Sequence, residues 1–333
     1  MNSAPLAAVT GAEGFIGSHL TEALVAAGYR VKAMAQYNSF SSYGWLETLS
    51  ADVLEQVEIQ LGDVRDPGSV RGLVEGADCV YHLAALIAIP YSYLAPHSYV
   101  DTNVSGTLNV LEAVRALGTP RLVHTSTSET YGTALTVPIT EDHPINTQSP
   151  YAASKAGGDR LADSYHASFG TPVVTLRPFN TYGPRQSMRA VIPSVIGQVA
   201  AGAHTITLGD LRPTRDFTYA EDTAQAFLAV GTAEAARVVG RTFNAGTGSE
   251  IAVGDLVATI GKLMDVTIDV REDAERVRPA NSEVMRLVAD ATRLRAATGW
   301  EPAHDLEQGL ARTVEFFSDP ANLARYKTGI YNI

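Results

Sequence analysis

Tyr151 and Lys155 stand four positions apart in Ser149-Pro150-Tyr151-Ala152-Ala153-Ser154-Lys155, within a stretch whose apolar residues recur near helical spacing. Both side chains therefore leave one face of a helix. An ammonium beside a phenol favours the phenolate, lowering a tyrosine pKa from about 10 toward neutrality and making it a general base. Upstream, His124-Thr125-Ser126-Thr127-Ser128-Glu129-Thr130-Tyr131-Gly132 sets hydroxyls and one carboxylate at the end of an apolar run. Thr127 can hydrogen-bond to a substrate hydroxyl while Tyr151 takes its proton, with Ser128 and Glu129 next in line. A Tyr-x-x-x-Lys pair is common by chance, so the elements around it decide its meaning.

Gly11, Gly14 and Gly17 form G-x-x-G-x-x-G directly after the apolar run Leu6 to Thr10, with Phe15 and Ile16 opening an amphipathic stretch. Such a turn lets a pyrophosphate approach backbone N–H groups and a positive helix N-terminus. Strands are expected at Leu6 to Thr10, Arg30 to Ala35, Val57 to Leu61, Cys79 to His82, Arg121 to His124 and Pro172 to Leu176. Helices are expected between them, notably Ile16 to Ala27, Tyr99 to Leu117 and Tyr151 to Ser168. The alternation predicts an α/β fold, a doubly wound parallel Rossmann sheet, with a smaller C-terminal α/β substrate-binding region. The dinucleotide-binding domain is expected over 1–178 and the substrate region mainly over 179–333. Part of 216–245, helical from Asp216 to Val230, is expected to pack back onto the first domain.

The second strand runs out in Met34-Ala35-Gln36-Tyr37-Asn38, with neither the acid that reads a ribose 2'-OH nor an arginine for a 2'-phosphate. No basic residue follows, which favours NAD. Gln36, Asn38 and Ser39 can hydrogen-bond to either form, so NADP stays open. Asp63-Val64 and Leu83-Ala84-Ala85 fall at the C-terminal ends of the third and fourth strands, where ligands bind in such sheets.

The chain has 333 residues, 45% of them apolar and 18% charged, enough for a packed core. A net charge of -11 argues against a nucleic-acid partner and leaves an anionic ligand dependent on local arginines. Cys79, the single cysteine, sits in an apolar run and reads as core. Neither a leader sequence nor an apolar run of about 20 residues is evident, so no membrane partner and a cytoplasmic location are expected. The eight histidines show no metal-ligand spacing.

Taken together, these motifs resemble the extended short-chain dehydrogenase/reductase family, in its NAD-dependent epimerase/dehydratase group, over nearly the whole chain. The likeness is carried by Gly11 to Gly17, Gly62 to Asp66, His82 to Ala85, Asn103-Val104-Ser105-Gly106-Thr107, Tyr151 to Lys155, Leu176 to Pro184, Arg215 to Tyr219, Asn244 to Gly248 and Arg278-Pro279. It implies a nucleotide-diphosphate sugar as substrate, oxidised first at a ring carbon, usually C4. It implies cofactor contacts that include Asn103. It assigns the substrate diphosphate to Arg215 and Arg278 with Asn180 beside them, and adds Arg185, Ile87 and Val191 as substrate-binding candidates. The helices Tyr99 to Leu117 and Tyr151 to Ser168 resemble the pair that forms a four-helix homodimer interface in this family.

Within the group, 4-epimerases carry small residues where this chain has Glu129, and 4,6-dehydratases carry glutamate. Thr127-Ser128-Glu129 looks most like the GDP-mannose 4,6-dehydratase version; glucose-type dehydratases have aspartate at the position of Ser128. The segment Gln36 to Glu47 is similar to a branch acting on nucleotide-linked N-acetylglucosamine. A 4,6-dehydratase is expected: a C4 ketone acidifies the C5 proton, Glu129 abstracts it, water leaves C6 and hydride returns there. A 4-epimerase, a 5,6-dehydratase using the same residues and a non-catalytic dinucleotide sensor are the alternatives.

Overall fold

The computed structural model describes residues 4–273 and 282–328. Six parallel strands are β1 (Leu6–Thr10), β2 (Arg30–Gln36), β3 (Val57–Gly62), β4 (Cys79–His82), β5 (Leu122–Thr125) and β6 (Val173–Pro178). They lie in the order β3-β2-β1-β4-β5-β6, and the strand Thr242–Ala245 adds a seventh beside β6. All neighbours are parallel, with Thr10 opposite Met34 on one side and His82 on the other. The order reverses between β1 and β4, which opens a crevice at the strands' C-terminal ends.

Alternation along the strands explains the two faces. Ala7 and Val9 of β1 point into a core with Val31, Ala33, Tyr81 and Val123, covered by Leu20 and Leu24 of helix α1 (Phe15–Ala26) and by Phe227 and Val230 of helix Ala220–Thr232. Ala8 points the other way, into a core with Val80 and Leu122 that is covered by Leu73 and Val74 of helix Pro67–Val74 and by Val110 and Val114 of helix Gly106–Leu117. Each fully buried Val or Leu of this kind contributes roughly 1.5–3 kcal/mol. A third core joins Tyr182, Ile192, Ile196, Ile206, Leu256, Ile260, Leu310 and Phe317 in the second half of the chain. Cys79 is buried and unbridged, its thiol pushed up to about 12 by burial.

The six expected strands are present with ends shifted by up to two residues. Two elements differ. The helix expected from Tyr99 to Leu117 is interrupted by a wide π turn over Val100–Ser105, where Asn103 turns its amide inward to bind other chain segments. The helix expected from Asp216 starts at Ala220, because Phe217–Tyr219 pairs as a short strand with Asn180–Tyr182. The strand Thr242–Ala245 is an addition; it is four residues long and contains Asn244, so periodicity gives little sign of it. Among the described residues no helix is long and apolar enough to cross a membrane.

Candidate active site

The glycine loop is fixed by contacts that a side chain would break. Gly11 has φ +68°, and a Cβ there would lie 2.8 Å from the Ala84 nitrogen; one on Gly17 would lie 2.0 Å from the Gly11 carbonyl oxygen. Gly14 caps α1 without a side-chain bond, and no acid sits in the first turn, so the N–H groups there, Phe15 and Ile16 among them, keep their positive field. Thr10 Oγ1 accepts from the Leu83 and Ala84 N–H groups, each at 3.1 Å, and therefore donates to His82 Nδ1 at 2.8 Å. This ties the end of β1 to the loop Leu83-Ala84-Ala85. The bare cradle at Gly11 and Gly17 and the free helix terminus suit the pyrophosphate of a dinucleotide.

Other cofactor candidates fall around the same edge. Asp63 is held in a fork by Arg65, which keeps its carboxyl below the ordinary range. Val64 is buried, while Gln36 and Ser39 are exposed. Asn103 is fully committed inside: its Oδ1 accepts from Leu86 N–H at 2.9 Å, and its Nδ2 donates to Leu86 O and Ser154 Oγ. It positions the β4 loop against the helix that carries Tyr151.

That helix, Pro150–Phe169, starts at Ser149, whose hydroxyl accepts from Ala152 N–H, with proline in the first position where its missing N–H costs nothing. Tyr151 is only 8% exposed and packs edge-on to Tyr99. Thr127 caps the short 3-10 turn Ser128–Tyr131, accepting from Glu129 N–H at 3.3 Å, and lies close enough to the Tyr151 phenol to favour its ionised form. Ser128 is buried and Glu129 half-buried, close enough for its charge to act on Tyr151. Gly132 ends the turn at φ +64°, where a Cβ would strike Asn146 O at 2.0 Å.

The electrostatics differ from the sequence expectation. Burial raises the Tyr151 phenol above its ordinary value, Thr127 opposes this, and Glu129 reinforces it. Lys155 Nζ donates to Thr125 O at 2.6 Å, and burial brings its pKa down to about 8 against the pull of Asp159. Lys155 is not among the main groups that shift the phenol, so the lowering expected from it is not seen and burial sets the direction.

Sequence reading missed Asp159. It lies a further four residues along the same helix and accepts from Ser126 Oγ at 2.6 Å, His124 Nε2 at 3.0 Å and Arg177 Nη2 at 2.9 Å. Burial alone would raise this carboxyl; the His124 and Ser126 hydrogen bonds and the Arg177 charge hold it low instead. Arg177 also donates to Tyr131 Oη, which donates to Asn244 Oδ1. Helical spacing puts Tyr151, Lys155 and Asp159 on one face, but the partners that give Asp159 its role come from β5 and β6.

The substrate candidates are more dispersed. Asn180 lies on the strand paired with Phe217–Tyr219, its N–H donating to Asp216 O. Arg215 is mostly buried, bonded to Thr214 O and Glu283, and lines a cavity of about 530 Å³ with Thr247, Ser249, His304 and Gln308. Arg185 is elsewhere, ion-paired with Glu22 of α1 at 2.6 Å. Val191 opens the helix Val191–Ala200, and Ile87 is 60% exposed in the segment after β4. Arg278 lies outside the described residues.

Comparison with known proteins places this site in context. The family model described as GDP-mannose 4,6 dehydratase matches residues 8–313. A UDP-glucose 4-epimerase of Mycolicibacterium smegmatis is 34% identical over 93% of this chain and 97% of its own length. A dTDP-glucose 4,6-dehydratase of Xanthomonas campestris is 34% identical over 93% and 92%. Among solved structures, a double mutant of the dTDP-glucose 4,6-dehydratase from Streptomyces venezuelae with NAD bound superposes with a TM-score of 0.86 at 29% identity, covering 96% of this chain and 98% of that one. UDP-glucose 4-epimerase from Thermotoga maritima with UDP-glucose gives 0.83 at 27%, covering 94% and 98%. With glycine cradle, Thr-Tyr-Lys set and full-length likeness in agreement, the chain belongs to the GDP-mannose 4,6-dehydratase family, within the NAD-dependent epimerase/dehydratase group of short-chain dehydrogenases/reductases.

Proposed function

We propose that this chain is an NAD-dependent nucleotide-sugar 4,6-dehydratase. The observation that carries the reading is that Glu129, two residues after Thr127 in the short turn that follows β5, lies near enough for its charge to act on Tyr151. Gly11, Gly14, Gly17 and the first turn of α1 would hold the cofactor; when bound, its nicotinamide supplies the acceptor for the C4 hydride and the donor that returns it to C6. Thr127 orients the sugar 4-hydroxyl, and Tyr151 receives its proton as the C4 ketone forms. Lys155, charged below about pH 8 and one turn along the same helical face, would stabilise the phenolate as it forms, against the burial that holds the phenol's pKa up. Glu129 then removes the C5 proton made acidic by the ketone and passes it to the departing C6 hydroxyl, which leaves as water. As C6 is reduced, the proton that Tyr151 took from the 4-hydroxyl, exchanged through solvent and Glu129, restores the C5–H bond. An epimerase has no use for that base, since it only turns the ketone over.

A nucleotide-diphosphate sugar as substrate is supported by the relatives, which act on or bind such sugars, and Arg215 and Asn180 are proposed as its diphosphate contacts. A homodimer is part of the proposal: helices Gly106–Leu117 and Pro150–Phe169 leave Leu108 and Phe169 exposed for a second copy. Incubation with GDP-, UDP- and dTDP-linked glucose, mannose and N-acetylglucosamine, followed by mass spectrometry, tests the reaction. Loss of one water from one of them supports dehydration; unchanged mass with altered sugar stereochemistry identifies an epimerase and overturns it.

A further inference from the structure

In Rossmann sheets the residue ending the second strand normally decides between NAD and NADP. Here that residue is Gln36, and from Ala33 to Val64 the chain carries neither lysine nor arginine to neutralise a 2'-phosphate. Asn38 offers no free capacity. Its Nδ2 donates to Gln36 O and Ser42 O, and its Oδ1 accepts from Phe40 and Ser42 N–H, so both donors and both lone pairs are spent on its own turn.

A carboxylate is nevertheless present at the same spot, delivered from another segment. Glu13, two residues after Gly11 in the glycine loop, accepts the Gln36 N–H on Oε1 at 3.0 Å. Its backbone is clamped from the far side: Trp45 N–H donates to Glu13 O at 2.9 Å, and Gly44, at φ +57°, comes so close that a Cβ would lie 2.7 Å from that oxygen. Glu13 Oε2 is buried and has no hydrogen-bond partner among the described residues. An orphaned buried carboxylate oxygen is costly unless a donor arrives to satisfy it.

We infer that Glu13, from inside the glycine loop, is the acid that reads the adenosine ribose and makes the site selective for NAD over NADP. A ribose 2'-hydroxyl at the end of β2 supplies the donor that Oε2 lacks, whereas a 2'-phosphate brings negative charge against it, and the stretch from Ala33 to Val64 holds no lysine or arginine to offset it. The acid that other Rossmann proteins place on the strand has moved to the loop, which is why the strand end reads as neutral in sequence. The inference rests on the dinucleotide reading above and adds a residue to it.

Isothermal titration of NAD and NADP into nucleotide-free protein tests it, using the wild type, Glu13→Gln and Glu13→Ala, with the melting temperature of each free protein as a folding control. Glutamine keeps the acceptor for Gln36 N–H and replaces Oε2 by a donor. The expected result is that wild type binds NAD at least about 10-fold more tightly than NADP, the scale of a charged hydrogen bond, and that Glu13→Gln closes the gap. Glu13→Ala is expected to weaken NAD binding by a similar factor, and it decides the matter if the glutamine variant fails to fold. A wild type that binds both equally, or variants that keep the full preference, overturn the inference while leaving the dinucleotide site standing. A wild type that binds neither overturns the dinucleotide reading and this inference together.

Discussion

Lys155 holds its charge against burial, and that gives a pH signature. Its folded-state pKa, brought to about 8, lies below the unfolded value near 10.4, so the unfolded chain binds more protons between those limits. Stability contributed by this group therefore rises as pH climbs through that window and is lost below about pH 8. The increment is on the order of 3 kcal/mol at most. Urea unfolding at pH 8 and pH 10 is expected to show a flatter pH slope in Lys155→Met than in wild type; equal slopes would contradict the burial argument. Asp159 makes the opposite case. It neutralises Arg177 in the interior, so Asp159→Asn is expected to cost about 3–5 kcal/mol by leaving a buried guanidinium uncompensated. A loss below about 1 kcal/mol in denaturant unfolding would mean that Arg177 finds another partner.

At the scale of elements, the glycine loop is the least forgiving turn. Gly17→Ala forces a Cβ against the Gly11 carbonyl, so the loop must open and the helix N-terminus must leave its place. NAD affinity is expected to fall at least about 100-fold, measured by titration, while the protein still folds around its two sheet faces. Binding within a few-fold of wild type would show that the loop is softer than its contacts suggest. Much of this scale was readable from sequence, since apolar alternation, glycine spacing and helix-capping residues are local signals. Asn103 was not read correctly in its surroundings: sequence places it in a helix, but its amide serves Leu86 and Ser154, and that demand widens the helix into a π turn. Thr242–Ala245 was missed because a short strand with a polar residue has no periodicity of its own; pairing with β6 makes it a strand.

Across the whole molecule, function depends on segments far apart in sequence. Thr127, Tyr151 and Lys155 announce themselves by order and spacing, whereas Asp159 gains meaning only when β5, β6 and the Tyr151 helix bring Ser126, His124 and Arg177 around it. Arg185 shows the converse. The family resemblance makes it a substrate-binding candidate, yet in the structure it has a positive φ of 70° and pairs with Glu22 of α1. The anionic chain thus places Arg215, not a broad basic surface, at the cavity of its second half. The central claim is that Glu129 makes this scaffold a dehydratase. Its most direct test is Glu129→Gln, assayed by mass spectrometry for water loss from whichever nucleotide sugar the wild type dehydrates, with NAD binding measured alongside. The account predicts that water loss falls by about 10²–10⁴-fold while NAD affinity is unchanged. Dehydration at the wild-type rate in that variant would contradict it.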